Sequence, residues 1–237
     1  MLRQCIPGLI VAVMMTGAAD AEPLEEGYAA AARGDDEAAF RLWRPLARTG
    51  LAEAQFLIGV AYAEGRGVSE DDIEAVRWYR LAAEQGDSAA QFNLGVAYDE
   101  GQGVAEDDAE AVKWYRLAAD QGDADAQLNL GFMYGSGEGV PHDDAEAARW
   151  FQRAANQGYP GAANKLGWMY SDGRGVAQDL VLAHMWFSLA AVQGHKGALK
   201  NRDVVAGKMK PEQIAEAQQL AREWQPKPER QSTPETR

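Results

Sequence analysis

Apolar positions recur along this chain at two scales. Within short stretches they fall three and four residues apart, as in Ala90, Leu94, Gly95 and Tyr98, which predicts one face of a helix. Over longer stretches the whole pattern repeats every 36 residues, marked by Gly59, Gly95, Gly131 and Gly167. Four copies, 51–86, 87–122, 123–158 and 159–194, follow without insertion, and the first two agree at 25 of 36 positions. Self-similarity at a fixed period predicts a solenoid, in which each unit packs only on its neighbours. The expected fold is all-α, a right-handed α-solenoid of stacked antiparallel helix pairs.

One copy shows the logic. From Asp87 a first helix runs to Gly101, where a left-handed residue ends it, and Gly103 permits the next turn. Asp107 followed by Glu110 is a capping-box start for a second helix, repeated as Asp71/Glu74 and Asp143/Glu146. The fourth copy keeps Asp179 but has Leu182 in place of the acid. Ala111, Trp114, Tyr115, Ala118 and Ala119 form the inward face of that helix, and Gly122 closes it. A tyrosine and a tryptophan 16 residues apart hold phase in every copy: Tyr62/Trp78, Tyr98/Trp114, Tyr134/Trp150 and Tyr170/Trp186. Residues at constant phase read as core, with each tryptophan filling the gap between copies. A mid-helix glycine costs about 1 kcal/mol relative to alanine. Four at one phase imply close helix approach, for which the pairs Ala82-Ala83, Ala118-Ala119, Ala154-Ala155 and Ala190-Ala191 are the expected facing surface.

The run Ala-x-x-x-Leu-Gly-x-x-Tyr-x-x-Gly-x-Gly-Val, followed by Asp, Ala, Trp, Ala-Ala and Gly, resembles the Sel-1-like repeat family, relatives of tetratricopeptide repeats. Residues 90–122 carry every signature position, and 51–194 is covered by the copies; Ile58 and Phe151 are mild departures. The resemblance implies an adaptor between proteins and, in exported bacterial members, envelope scaffolds, regulators of a sensor's periplasmic domain or cell-wall-associated factors. Residues 22–50 resemble an N-terminal capping helix pair and 195–224 two closing helices, with Pro211 at a first-turn position. Residues 225–237 hold three prolines without apolar periodicity and read as a disordered tail.

The first residues add a location. Arg3, the apolar run Ile6 to Met15 and the small-x-small site Ala19-Asp20-Ala21 form a signal-peptide pattern over 1–21, with cleavage near Ala21. The run is shorter than the roughly 20 residues a membrane span needs, so no stable span is expected after cleavage. We therefore expect a periplasmic or secreted protein, with Cys5 removed and no thiol chemistry left. The net charge of −13 is unchanged by cleavage, because Arg3 and Asp20 are lost together. Such a chain repels phosphate backbones, which argues against nucleic acid and favours a protein or peptide partner of basic character. A monomer is expected.

Little in the chain points to chemistry. None of Ser69, Ser88, Ser136, Ser171, Ser188 and Ser232 begins a Ser-x-x-Lys, and there is no His-Glu-x-x-His among His142, His184 and His195. The Asp-Asp pairs are explained by capping, without calcium. No catalytic residue, metal or cofactor is expected. Some cysteine-rich relatives of the resembled family are penicillin-binding or β-lactamase-like, but their paired cysteines are absent here, so a cell-wall or β-lactam-active enzyme is the lesser alternative to an adaptor or regulator. For recognition, the resemblance assigns the concave face to the first helix of each pair. By phase this selects Asn93, Val96, Asp99, Asn129, Phe132, Lys165, Trp168 and Asp172. Phe56, Phe92 and Leu128 are assigned to packing; Asn129, Phe132 and Trp168 are open between packing and a groove. Asn93 and Asn129 share a phase and could form an amide ladder against a peptide backbone.

Overall fold

The computed structural model describes residues 18–227 and Glu229; residues 1–17, which hold most of the expected signal peptide, and most of the expected tail lie outside them. The described residues form twelve helices and no strand. They are α1 (Ala18–Ala32), α2 (Asp36–Thr49), α3 (Ala52–Glu64), α4 (Asp72–Glu84), α5 (Ser88–Glu100), α6 (Asp108–Asp120), α7 (Ala124–Ser136), α8 (Asp144–Asn156), α9 (Pro160–Asp172), α10 (Leu180–Val192), α11 (Ala198–Ala206) and α12 (Pro211–Glu223). Successive helices pair and stack, the α-solenoid architecture, and the chain divides into two compact units, Met1–Ala82 and Ala83–Arg237.

In the first unit, Leu24, Trp43, Leu46, Leu57 and Ile58 make the core with small residues Ala30, Ala39, Ala47 and Ala54. The Trp43 indole donates to the Leu24 carbonyl at 3.3 Å, and Tyr28 donates to Glu53 at 2.6 Å. The second unit has one cluster from copies two and three, including Tyr115, Leu130 and Trp150, and another from copies three and four, including Phe151, Leu166 and Trp186. Trp150 and Trp186 thus each join adjacent copies, as their phase implies. Beyond the repeats, α10 packs against both α11 and α12, and Trp224 meets Trp186 edge to face at 6.1 Å.

Two expectations need correction. The helix glycines do not face the alanine pairs. A methyl group on Gly59, Gly95, Gly131 or Gly167 would lie 2.5–2.7 Å from the ring of Tyr79, Tyr115, Phe151 or Phe187, respectively, the aromatic residue after each tryptophan. Glycine here makes room for a flat ring seated on the helix backbone. The capping box is also only half formed. Asp107 accepts from the Ala109 and Glu110 amides at 3.1 Å, but its own N–H donates to the Tyr98 carbonyl at 2.9 Å. With that donor already satisfied, Glu110 turns instead to Lys113 at 3.1 Å. Asp143 repeats the arrangement with Tyr134, and Asp179 caps α10 without any acid three residues on.

The interhelix loop is held by the preceding copy. Gly139 (φ 66°) and Gly175 (φ 66°) lie so close to the first turn of the previous second helix that a Cβ would be 2.3 Å from the Asp108 carbonyl oxygen and 2.0 Å from that of Asp144. Only glycine fits there, on both backbone and steric grounds. Arg174 adds a 2.7 Å bond to Asp144, and in the first unit Arg66 does the same to Asp36.

Candidate functional site

Helices α5, α7 and α9 carry all eight predicted recognition residues in the second unit, and the structure sorts them into two groups. On α5 they turn inward. Asn93 is half-buried and donates to the Ala89 carbonyl of its own helix at 2.8 Å. Val96 is half-buried against the cluster around Tyr115 and Leu130. Asp99 accepts a 3.0 Å bond from the Tyr115 hydroxyl; burial raises its carboxyl above the usual range, while that hydrogen bond works in the other direction. Asn129 on α7 also bonds to Tyr115, whose hydroxyl is pushed up first by burial and then by Asp99. Asn93 is engaged within its own helix and Asn129 with Tyr115 of the preceding copy, so the two amides do not form a ladder.

The second group is exposed. Phe132 (α7) is 41% exposed and Trp168 (α9) 38%. Each stands edge to face on a buried ring, Phe132 on Phe151 at 5.3 Å and Trp168 on Phe187 at 5.5 Å. Lys165, one turn before Trp168, places its ammonium 4.8 Å from the Phe132 ring centre, a cation–π contact linking α7 to α9. Asp172 is exposed at the end of α9. Phe132 and Trp168 occupy the phase filled by Val60 and Val96 in the earlier copies, and their buried partners are phenylalanines where earlier copies have Tyr79 and Tyr115. The aromatic enlargement outside and the loss of the hydroxyl inside occur together, in copies three and four.

The buried glutamines were not anticipated from sequence. Gln91 and Gln127 donate to the Ala83 and Ala119 carbonyls at 3.1 Å, while their side-chain oxygens accept from Gln121 at 2.7 Å and Gln157 at 2.9 Å. Gln121 and Gln157 reach on to the Gly86 and Gly122 carbonyls. This amide relay ties the helix end of one copy to the next, adding a side-chain donor to the Ala83 and Ala119 carbonyls that also accept from the Gly86 and Gly122 amides at 3.0 Å. Its signal was available in the 36-residue phase shared by Gln55, Gln91 and Gln127. A second unanticipated feature is a cleft in the first unit where Arg41, Arg44 and Arg48 of α2 stand beside Phe40 and Pro45. Their three- and four-residue spacing makes one basic stripe in an acidic chain.

No group of three or more His, Cys, Asp or Glu residues among those described is placed to hold a metal ion. His184 is buried, and that burial lowers its pKa; Ser188 donates to its carbonyl at 2.8 Å. No described helix is long and apolar enough to cross a membrane.

Comparison with known proteins bears on this architecture. The Sel1 repeat model matches four times, at residues 52–87, 88–123, 124–159 and 160–195, one residue later than the frame drawn from the glycines. A protective antigen of uropathogenic Escherichia coli with an SLR fold is similar at 32% identity and a TM-score of 0.79, covering 86% of this chain and 45% of its own. A Sel1 repeat protein from Oxalobacter formigenes is similar at 38% identity and a TM-score of 0.65, covering 70% of this chain and 48% of its own. A Klebsiella pneumoniae protein at 22% identity and a TM-score of 0.50 shares the fold, with coverage of 79% and 93%. The chain thus spans less than half the length of the first two. No curated protein sequence matches it. The four matched repeats place the chain in the Sel1 repeat family, whose members generally act in protein–protein interaction and are typically non-enzymatic scaffolds.

Proposed function

We propose that this chain is an exported protein–protein adaptor that captures a segment of a partner protein on the Phe132–Lys165–Trp168 patch of α7 and α9. The supporting observation is that both exposed aromatics rest on buried phenylalanines. Rings fixed in this way lose little side-chain freedom on binding, and large aromatic side chains dominate interface energetics. An apolar side chain of the partner would seat between the two rings, and Lys165 would hold a neighbouring backbone carbonyl or carboxylate. Beyond the patch, the net charge of −13 favours approach by a partner of basic character. The signal-peptide pattern ending near Ala21 supports export to the periplasm or beyond. Cleavage there would leave Pro23 in the first turn of α1, where its missing N–H is harmless. We take the adaptor to act as a monomer, with α1–α2 and α11–α12 closing the ends of the repeats.

The test is native-envelope crosslinking followed by mass spectrometry, comparing the wild-type chain with Phe132→Ala/Lys165→Ala/Trp168→Ala. Loss of a specific crosslinked partner at unchanged helicity is expected. Equal recovery by both chains would remove the patch from the binding surface.

A further inference from the structure

After α12 the chain turns back across the second unit, and Glu229 comes to rest where α6 ends, α7 begins and α8 ends. Its carboxylate is gripped from two sides. Arg153 donates through Nε to Oε1 at 2.9 Å and through Nη2 to Oε2 at 2.6 Å, a two-pronged grip, and Gln127 Nε2 donates to Oε2 at 2.9 Å. The backbone joins in, with the Lys227 N–H donating to the Asn156 carbonyl at 2.7 Å. Gly122 leaves the space: a Cβ there would be 3.2 Å from that of Glu229.

The receiving groups are held without help from the tail. Gln127 is fixed by its bonds to the Ala119 carbonyl and to Gln157. Arg153 lies over the Trp150 ring at 4.6 Å, donates to the Ala119 carbonyl at 2.9 Å and is 3.5 Å from Asp120. The third copy departs from its siblings at two of these places. Arg153 stands where the others have Leu81, Leu117 and Leu189, and neutral Asn156 where the two before have Glu84 and Asp120. One change supplies a fork for a carboxylate, and the other removes an acid that would repel it. A packing repeat requires neither.

We propose that Arg153, Gln127 and Asn156 form a binding site for a glutamate carried on an extended peptide, and that its occupant is the chain's own Glu229. The side chains recognise the carboxylate while the Asn156 carbonyl registers the backbone two residues earlier. A fork-shaped, charge-assisted pair of this kind discriminates sharply against the neutral amide.

Hydrogen exchange and peptide binding on the full chain test this. In the wild type the Lys227 amide should be protected, and Glu229→Gln or Arg153→Leu should each speed its exchange by about tenfold or more, as expected for losing a hydrogen bond to a charged group. Arg153→Leu restores the residue of the other copies, so it should fold; unchanged far-UV circular dichroism checks this. A fluorescein-labelled peptide of residues 225–230 should bind Glu229→Ala at least about tenfold more tightly than the wild type, and should lose that binding when its glutamate is replaced by glutamine. An unprotected Lys227 amide in the wild type, or a peptide that binds Glu229→Ala no better than the wild type, would overturn the proposal. Protection that rises with protein concentration would assign the site to the tail of a second copy and overturn occupancy within one chain.

Discussion

Gly131 and Phe151 share one space: a methyl group on the glycine would stand 2.5 Å from the edge of the ring. The ring stands edge to face with Phe132 at 5.3 Å and is buried in one cluster with Ala147, Ala154 and Leu166, which leaves it little room to move. Gly131→Ala should destabilise the chain by about 1–3 kcal/mol through overpacking, against the usual advantage of alanine in a helix. Gly135 is the internal control. It lies one turn later in α7 with only the Ala147 methyl at 3.8 Å, so Gly135→Ala should be stabilising by up to about 1 kcal/mol. Urea denaturation of both variants checks the pair, and the same sign for both would refute the account.

Asp123 caps α7, accepting from the Ala126 amide at 2.8 Å, yet burial pushes its carboxyl up to about 6. A carboxyl raised by folding favours the protonated native state. Its contribution is therefore fully present below the unfolded value near 4 and declines as pH rises through about 6. Asparagine caps a helix as well as aspartate and carries no charge to desolvate. Asp123→Asn should thus be more stable than the wild type at pH 7.5, with the advantage shrinking towards pH 4.5. Thermal unfolding midpoints at the two pH values measure it; a constant difference would locate the pH dependence elsewhere.

The Tyr115 hydroxyl bonds to Asp99 at 3.0 Å. Copies three and four already place phenylalanine at this phase, so Tyr115→Phe should fold with a loss of only about 1 kcal/mol. The hydrogen bond favours the ionised carboxylate, so removing it should raise the Asp99 pKa further. A carboxyl NMR titration that moved down, or not at all, would contradict this.

Gln91 is buried and satisfies both the Ala83 carbonyl and the Gln121 amide. Gln91→Leu would keep the volume and remove both bonds, while the Ala83 carbonyl keeps the Gly86 N–H and Gln121 keeps the Gly86 carbonyl, so the cost should be about 0.5–1.5 kcal/mol for each hydrogen bond lost. Gln121→Leu, at the more accessible end of the relay, should cost less. Equal losses in chemical denaturation would mean that burial does not set the cost.

Trp168→Ala and Phe132→Ala should separate function from stability. Both rings are more than a third exposed, so each truncation should cost less than the 3–5 kcal/mol of a fully buried aromatic. Partner capture should nevertheless fall by about tenfold or more for each if these rings are anchors. Differential scanning calorimetry alongside crosslinking yield distinguishes the two effects; a large stability loss with intact capture would assign the rings to packing.

How far the sequence could be read differs between elements. The start of α6 was legible because Asp107 satisfies neighbouring amides within its own turn, a local interaction. The half-formed box was not, because the Asp107 N–H partner, Tyr98, lies on the previous helix. At the candidate site, phase placed Asn93 and Phe132 equally on first helices. It could not show that one is engaged by its own backbone and the other left in solvent on a buried ring.

By itself the sequence determined the 36-residue unit, the helix pairs, the left-handed glycines at helix ends and the constant aromatic core, because these depend on short-range backbone preferences and on periodic burial. Tertiary structure alone decided which ring each helix glycine admits, which carbonyl each buried glutamine satisfies and where Glu229 comes to rest. Those relationships join residues 20, 30, 76 and 102 positions apart, as in Gly131 with Phe151, Gln127 with Gln157, Arg153 with Glu229 and Gln127 with Glu229. Periodicity fixes the phase of a residue on its helix, whereas contact depends on how neighbouring helices are set in three dimensions.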